Sequence, residues 1–289
     1  MSKLSIGTVQ FGLDYGVAND SGKVAYDEVQ KILEEAQINQ IDTIDTAAAY
    51  GDSEEVLGKS GVNKFHIITK LPEIPVDVKN ITEYIEESFF SSLRRLKVEH
   101  VYGYLLHRPS QLLTNSGSEI YQAISNLKAQ GYIKKIGASI YQPEELDEIV
   151  KEYELELVQV PFNIFDRRLI ETGWLSQLQK KGVEIHIRSI FLQGLLLMNQ
   201  KQRPEKFNRW NKLWAKWDDW LENNNLTPLE ASIRYVLSLS EISKVVIGVD
   251  SNSQLKEIIA AANGELPEIP NDLYTNDVNL LNPSNWGRL

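Results

Sequence analysis

Short apolar runs alternate with amphipathic segments along this chain, and this alternation constrains the fold more than any other feature. Apolar runs of strand length lie at 4–9, 41–45, 65–69, 101–106, 134–138, 157–162, 183–189 and 244–249. Segments with helical periodicity lie at 27–39, 53–60, 80–96, 119–130, 143–152, 167–181, 228–238 and 252–262. Eight such units predict an α/β protein whose parallel strands close into a (β/α)8 TIM barrel. No Gly-x-Gly-x-x-Gly follows the first run, which disfavours a doubly wound dinucleotide fold.

Length and composition favour a single domain. The chain has 289 residues and no low-complexity run or linker rich in Pro, Gly and Ser. Barrels of this kind often use about 200 to 250 residues as one unit. We predict one barrel domain over 1–289, with a helical insertion at about 200–226, before the last helix pair, and a C-terminal tail at 263–289.

The composition also excludes several kinds of function. The chain has no cysteine, which excludes disulfides, thiolate metal sites and cysteine nucleophiles. Its formal net charge of −10 at pH 7 disfavours nucleic-acid binding, which needs a basic face. The absence of a long apolar run or a signal-like start predicts a cytoplasmic protein without membrane contact. The spacing of His66, His100 and His186 predicts no metal site.

Four chemically active residues follow the predicted strands within the first 107 positions. Asp45 and Tyr50 lie in Asp-Thr-Ala-Ala-Ala-Tyr-Gly, Lys70 ends Ile-Ile-Thr-Lys, and His107 lies in Leu-Leu-His-Arg-Pro. A barrel collects its active-site residues at the C-terminal ends of its strands. On a strand, side chains two residues apart point to the same face, so Asp45, Lys70 and His107 can all face the barrel interior at that rim.

These four side chains suit proton donation to a carbonyl oxygen. A free phenol is a poor proton donor near neutral pH. The Lys70 ammonium would favour release of the Tyr50 proton, Asp45 would hold that ammonium, and neutral His107 would orient the substrate oxygen. Each residue alone has an ordinary structural explanation, but their joint occurrence favours carbonyl reduction with Tyr50 as the general acid.

The order and spacing of Asp45, Tyr50, Lys70 and His107 resemble the catalytic tetrad of the aldo-keto reductases. Further motifs extend the resemblance over roughly residues 3–262, and some look like aldo-keto reductases among sugar-modifying bacterial proteins. The resemblance implies an oxidoreductase that reduces a small aldehyde or ketone, such as a sugar-type carbonyl. The motifs are Ile6-Gly7-Thr8-Val9-Gln10-Phe11-Gly12, Ser53-Glu54-Glu55-Val56-Leu57-Gly58, Ile136-Gly137-Ala138-Ser139, Gln159-Val160-Pro161-Phe162-Asn163, Phe191-Leu192-Gln193-Gly194-Leu195-Leu196 and Val246-Ile247-Gly248-Val249-Asp250.

The resemblance also implies where a nicotinamide cofactor binds. The carboxamide would contact the ends of the fifth and sixth strands. The pyrophosphate would lie on the loop after the seventh strand and at the N-terminal end of the last helix. The residues at these positions are Ser139, Gln159 and Asn163 for the carboxamide, and Ser189, Leu192 and Gly194 for the pyrophosphate.

Two departures from the family pattern concern the cofactor. Arg188 stands where relatives place an aromatic ring, so it would stack its guanidinium on the nicotinamide or contact the phosphates. The segment from Gly248 to Gln254 has no Lys or Arg, although relatives that prefer NADP(H) carry a cation there. Asp250 would repel a 2′-phosphate and accept from a ribose hydroxyl, whereas Ser251 and Gln254 also fit a helix capping box. The choice between NAD(H) and NADP(H) stays open.

Substrate-facing candidates are Tyr15 in the first loop and Arg108 beside His107. The spacing of Trp210, Trp214 and Trp217 favours core or interface packing, with part of a lid as the alternative.

Two other functions are compatible with the barrel. One is a cofactor-binding regulatory or sensor subunit with little turnover. The other is a Schiff-base aldolase with Lys70 as the nucleophile. The complete set of Asp45, Tyr50, Lys70 and His107 argues against both.

Overall fold

Eight parallel strands close into a barrel in the computed structural model, which describes residues 2–17, 19 and 22–289. Each strand pairs with the next in sequence, and the first pairs with the last. The predicted (β/α)8 fold is therefore confirmed. The strands are β1 (Leu4–Gly7), β2 (Thr43–Asp45), β3 (His66–Leu71), β4 (Val101–Leu106), β5 (Ile133–Ser139), β6 (Leu157–Pro161), β7 (Glu184–Arg188) and β8 (Lys244–Gly248).

The helices that connect these strands bury one apolar face each. The helix from Ile81 to Leu96 shows how the sequence specifies them. Asn80 accepts a hydrogen bond from the backbone of Glu83 at 3.1 Å and so caps its first turn. The α-helices are α1 (Val9–Gly12), α2 (Tyr26–Ile38), α3 (Ser53–Ser60), α4 (Ile81–Leu96), α5 (Gly117–Ala129), α6 (Leu146–Glu152), α7 (Arg168–Glu171), α8 (Trp174–Lys180), α9 (Asn211–Asn224), α10 (Pro228–Ser238), α11 (Asn252–Ala261) and α12 (Val278–Leu281).

One predicted helix is divided into two in the observed structure. The segment 167–181 forms two helices, α7 and α8, instead of one. Gly173 lies between them with a φ of 78°, a left-handed conformation that interrupts a right-handed helix. No helix of the described residues has the length and apolar content needed to cross a membrane.

The barrel interior is filled by a small cluster separate from the main core, formed by Ile68, Leu105 and Leu157. A Cβ at Gly103 on β4 would lie 2.7 Å from Ile68 Cδ1 and 3.5 Å from Leu157 Cδ1, so side chains of different strands converge there. Because strand faces alternate, Lys70 lies above Ile68 on the same face. The interior cluster therefore supports polar side chains at the C-terminal rim.

The tryptophan stripe belongs to the core. Residues 200–226 include a 3-10 helix (Glu205–Trp210) and α9. The Trp214 and Trp217 rings pack against Phe165, with centroids 5.1 and 5.7 Å apart. Trp210 Nε1 donates to Asp277 at 3.0 Å, which ties the insertion to the C-terminal segment. Packing, not a lid, explains the stripe.

Candidate active site

A cavity of about 690 Å³ opens at the C-terminal rim of the barrel. Its wall is formed mainly by residues at or just after the ends of β1, β2, β4, β5, β7 and β8, together with residues 282–284. This volume suits a small-molecule ligand. Among the described residues, no group of three or more His, Cys, Asp or Glu side chains is placed to hold a metal ion.

Lys70 lies at the centre of a buried network beneath the cavity. Its Nζ donates to the two carboxylate oxygens of Asp45 at 2.8 and 2.9 Å and to the Thr46 carbonyl at 2.9 Å. The same Nζ lies 3.3 Å from the Tyr50 hydroxyl. Burial acts to lower the pKa of Lys70, but the charge of Asp45 and the contact with Tyr50 outweigh it and raise that pKa. Lys70 is therefore a permanent cation at neutral pH.

Tyr50 and His107 meet edge to face, with ring centroids 6.0 Å apart and an interplanar angle of 84°. Both line the cavity. Burial and the nearby charge of Lys70 lower the pKa of His107 to about 4. The imidazole is neutral at pH 7, so one ring nitrogen carries a proton that it can donate as a hydrogen bond. The structure thus brings the tetrad of Asp45, Tyr50, Lys70 and His107 together.

Gln159 lies beneath the cavity instead of in its wall. Its Nε2 donates to Asp45 Oδ1 at 2.7 Å, and its Oε1 accepts from Ser139 Oγ at 3.1 Å. The side chain is fully buried, and both ends of its amide are engaged. Gln159 orients the Asp45 carboxylate, while Ser139 lines the cavity and remains within reach of a ligand.

Asn163 hydrogen-bonds to the backbone of the loops that follow β6 and β7. Its Oδ1 accepts from the backbone of Phe165 and Asp166 at 2.9 and 3.0 Å, and its Nδ2 donates to the Ser189 carbonyl at 3.1 Å. It does not line the cavity. These contacts fix the loop after β6 to the loop after β7.

The loop after β7 has an unusual backbone. Ser189, Leu192, Gln193 and Gly194 all have positive φ angles, of 60°, 46°, 53° and 90°. Positive φ is strained for residues other than glycine and is often found at ligand sites. Ser189, Gln193 and Gly194 line the cavity, whereas Leu192 is fully buried outside its wall. Gln193 Nε2 also donates to the Tyr15 hydroxyl at 2.8 Å, which links this loop to the first loop.

The end of the cavity near β8, which we call the β8 end, is lined by Gly248, Asp250, Gln254 and Glu257. Gln254 Oε1 accepts from the Asp250 backbone at 2.8 Å, and Ser251 caps α11. Ser251 therefore caps the helix, but Gln254 bonds to the residue before the cap and does not complete the predicted capping box. Asp250 Oδ1 is buried without a hydrogen-bond partner among the described residues, and burial raises the pKa of this carboxyl despite the Gln254 side chain. An unpartnered buried acceptor is expected where a ligand hydroxyl binds.

Two glycines that were not predicted as site residues position Tyr50. A Cβ at Gly12 would lie 1.8 Å from the Tyr50 carbonyl oxygen, and a Cβ at Gly51 would lie 2.3 Å from the Gly12 carbonyl oxygen. Ser53 Oγ also donates to the Thr8 carbonyl at 2.9 Å. The first loop therefore packs directly on the backbone that carries the phenol.

We expect Gly12→Ala to misplace Tyr50 and to lower kcat by about tenfold or more, because small displacements of a catalytic group are costly. Steady-state kinetics and thermal unfolding would be measured together. Gly287→Ala is the control, since a Cβ there meets nothing within 4 Å. Unchanged kcat in Gly12→Ala would show that this contact does not position the phenol.

Glu54 is a further residue whose role was not predicted. It is 1% exposed, accepts from Thr69 Oγ1 at 2.6 Å and pairs with Arg95 at 2.7 Å. A Cβ at Gly58 would lie 2.0 Å from the Arg95 carbonyl oxygen. This part of the motif 53–58 therefore fixes α3 against α4 and β3, and has a structural role in supporting the tetrad.

The two arginines near His107 differ in position. Arg108 lies outside the cavity wall, with Nε 3.4 Å from a Glu73 oxygen. Arg188 lines the cavity, and its Cζ lies 4.7 Å from the centre of the Tyr141 ring, which also lines it. Tyr141 carries no sequence signal, since it follows the fifth strand as an ordinary loop residue.

Comparison with known proteins matches residues 3–271 to the Aldo/keto reductase family. A relative described as uncharacterized oxidoreductase YqkF, from Bacillus subtilis (strain 168), is 27% identical and covers 91% of this chain and 92% of its own. The NADH-specific methylglyoxal reductase of Escherichia coli (strain K12) is 24% identical, covering 79% of this chain and 80% of its own.

A solved structure gives the same fold. The aldo-keto reductase AKR11C1 from Bacillus halodurans, in its holo form, superimposes with a TM-score of 0.73 at 22% identity. The match covers 92% of this chain and 88% of that one.

Proposed function

This chain belongs to the aldo/keto reductase family, and we propose that it reduces an aldehyde or ketone to an alcohol with Tyr50 as the general acid. The observation that carries the proposal is the position of Lys70 Nζ, which is held by Asp45 and lies 3.3 Å from the Tyr50 hydroxyl. A fixed cation at this distance stabilises the phenolate that remains when the proton leaves. The site is therefore built to release a proton towards the cavity.

Each member of the tetrad has a distinct task. Tyr50 donates its proton to the carbonyl oxygen, and neutral His107 donates a hydrogen bond that orients the same oxygen. Asp45, held by Gln159, keeps Lys70 charged in a buried place. A bound nicotinamide cofactor supplies the hydride for the carbonyl carbon.

The cavity wall fits such a cofactor. Ser139 would contact the carboxamide, and the loop that contains Ser189 and Gly194 would hold the pyrophosphate. Gly248 leaves room where a Cβ would lie 2.5 Å from the Gln10 amide. The unpartnered Asp250 Oδ1 would accept from a ribose hydroxyl.

We further propose that the cofactor is NADH. Asp250 and Glu257 line the β8 end, and in the described part of the chain Arg188 is the one Lys or Arg side chain in the cavity wall. A 2′-phosphate dianion at the β8 end would face two carboxylates and no cation there.

Asp250→Arg should change the ratio of NADH to NADPH dissociation constants by about ten- to a hundredfold in favour of NADPH, because a charge-assisted hydrogen bond replaces a repulsion. Fluorescence titration of both cofactors is the measurement. Asp250→Asn, which removes the charge and adds none, should give a smaller change in the same direction. An unaltered ratio in both variants would place the adenosine ribose away from Asp250.

The Schiff-base aldolase is disfavoured by the same geometry. A Schiff base requires a neutral and accessible amine. Lys70 is 1% exposed and lies outside the cavity wall. Burial acts to lower its pKa, but the charge of Asp45 outweighs burial and raises it.

Oxidation of NADH with a panel of aldehydes and ketones tests the proposed function. The panel would include methylglyoxal, glyoxal and aldoses. Reduction of none of them by the wild-type protein with either cofactor would contradict it.

A further inference from the structure

Glu54 joins three elements beside the tetrad, namely α3, α4 and β3. Its side chain is 1% exposed, and both of its carboxylate oxygens are engaged. Oε1 accepts from Thr69 Oγ1 on β3 at 2.6 Å, and Oε2 accepts from Arg95 Nε on α4 at 2.8 Å. Because the carboxylate is held at both oxygens, the start of α3 is fixed in position relative to β3.

The hydrogen bond between Glu54 and Thr69 lies next to the proton donor and its cation. Thr69 directly precedes Lys70 in β3, and side chains alternate along a strand, so Thr69 points outward to α3 while Lys70 points into the barrel. Glu54 lies in the first turn of α3, where the Ser53 backbone N–H donates to the Tyr50 carbonyl at 3.1 Å. The hydrogen bond therefore ties the segment that carries Tyr50 to the strand that carries Lys70.

Ser53 fixes the same segment to other strands. Its Oγ donates to the Thr8 carbonyl after β1 at 2.9 Å and lies 3.1 Å from Thr46 Oγ1 after β2. Neither contact reaches β3. Among the described residues, the hydrogen bond between Glu54 and Thr69 is the one side-chain hydrogen bond that joins α3 to β3.

We propose that Glu54 is a positioning residue, whose hydrogen bond to β3 sets the separation between the Tyr50 hydroxyl and the Lys70 ammonium. The proposal rests on the proposed function, in which Tyr50 is the general acid. The attraction between a phenolate and an ammonium falls as their separation grows from the 3.3 Å observed here. Glu54 thus acts on proton transfer through Lys70, without contact with the substrate.

The groups around Glu54 keep their protonation near neutral pH. Arg95 stays charged, as arginines in proteins do. Tyr104 on β4 also faces the carboxylate, and burial together with the charge of Glu54 raises the pKa of its phenol. A change in the pH dependence of the reaction would therefore arise at the tetrad. The charged and titratable groups near Tyr50 are Lys70, Asp45, His107, Tyr15 and Arg188.

Thr69→Val tests the proposal, because it removes the hydroxyl and keeps the branched shape that suits a strand. Glu54 Oε1 would become a buried oxygen without a partner, a costly arrangement, so the start of α3 should move away from β3. In alcohol oxidation Tyr50 must accept a proton as a phenolate. With weaker attraction to Lys70, the pH dependence of oxidation should shift upward by about half to one unit.

This shift makes oxidation at pH 7 about three- to tenfold slower in Thr69→Val. The substrate is the alcohol product of the best carbonyl compound of the panel, with NAD+ bound. Single-turnover oxidation followed by NADH fluorescence isolates the chemical step. An unshifted pH dependence would overturn the proposal.

Thr69→Ser and Ser92→Ala are the matched comparison variants. Serine keeps the donor, so Thr69→Ser should return the pH dependence to within about 0.2 unit of wild type. Ser92 is 1% exposed, and its Oγ accepts from Arg95 Nη2 at 3.1 Å. Ser92→Ala therefore deletes a buried hydroxyl beside the same ion pair without touching β3. It should lower stability in urea about as much as Thr69→Val does and leave the pH dependence unchanged.

Crystal structures of the wild type and of Thr69→Val give a readout independent of turnover. The separation between the Tyr50 hydroxyl and Lys70 Nζ should be larger in the variant by about 0.5 Å or more, which corresponds to the expected pH shift. An unchanged separation, or equal pH shifts in Thr69→Val and Ser92→Ala, would show that Glu54 only stabilises the fold and would overturn the proposal.

Tyr50→Phe separates this inference from the proposed function. Turnover that survives Tyr50→Phe would refute the general acid, whatever Thr69→Val does. Loss of turnover in Tyr50→Phe, together with an unshifted pH dependence in Thr69→Val, would refute only the role of Glu54.

Discussion

Replacement of Tyr50 by phenylalanine should lower kcat for carbonyl reduction by about 100-fold or more, the scale expected when a general acid is removed. The substitution deletes one hydroxyl, which lies 3.3 Å from Lys70 Nζ and lines the cavity. The ring that packs against His107 remains. Steady-state kinetics with the best carbonyl substrate of the panel gives the measurement.

The cofactor should still bind to Tyr50→Phe. In the proposed mechanism the hydroxyl acts on the substrate oxygen and not on the dinucleotide, so the Kd of NADH should stay within a few-fold of the wild-type value. A kcat within a few-fold of wild type would rule out Tyr50 as the acid. A large loss of NADH affinity would show that the substitution disturbs the cavity as a whole.

Lys70→Met should have the second-largest effect, because it lowers both stability and activity. It removes the cation that pairs with Asp45 in a nearly fully buried position. Breaking a buried ion pair by removing one partner costs about 3 to 5 kcal/mol of the free energy of unfolding. Without the cation next to Tyr50, kcat should fall by about 100-fold, and alcohol oxidation should require a higher pH. Urea unfolding and pH–rate profiles are the measurements.

The double variant Asp45→Asn, Lys70→Met separates the two effects. Asparagine carries no charge, and its oxygen can still accept from Gln159 Nε2, which now donates to Asp45 at 2.7 Å. The free energy of unfolding should therefore recover, while kcat should stay low. If kcat recovered together with stability, Lys70 would be a structural residue without influence on proton transfer.

The sequence predicted the parts of this protein that depend on local periodicity. The alternation of apolar runs and amphipathic segments specifies parallel strands and their connections, and eight of them make closure possible. The alternation of side chains along a strand predicted that Lys70 and Asp45 both face the barrel interior. The structure places Lys70 Nζ 2.8 Å from the Asp45 carboxylate. These inferences succeed because the barrel repeats one geometry eight times.

Hydrogen bonds between distant segments were decided only by the tertiary structure. The motif of Gln159 predicted a contact with a cofactor, but its hydrogen bond to Asp45, 114 positions away in the chain, was not predicted. The Leu192 backbone was predicted to approach a pyrophosphate, and the structure adds that its side chain lies in the core and that its φ is positive. The partner of Gln159 and the burial of Leu192 both depend on contacts beyond the short sequence window that periodicity or turn chemistry covers.

The sequence by itself determined the fold and the family, and it predicted the four tetrad residues that the structure brings together, since each of these depends on residue type and spacing along the chain. The tertiary structure alone decided how the remaining residues are used. It placed the backbone of Gly12 against Tyr50, and among the described residues it gave Arg188 no carboxylate partner in the cavity wall. Both outcomes depend on which groups meet across the closed barrel, because packing distance and charge pairing are properties of neighbours in space and not of neighbours in sequence.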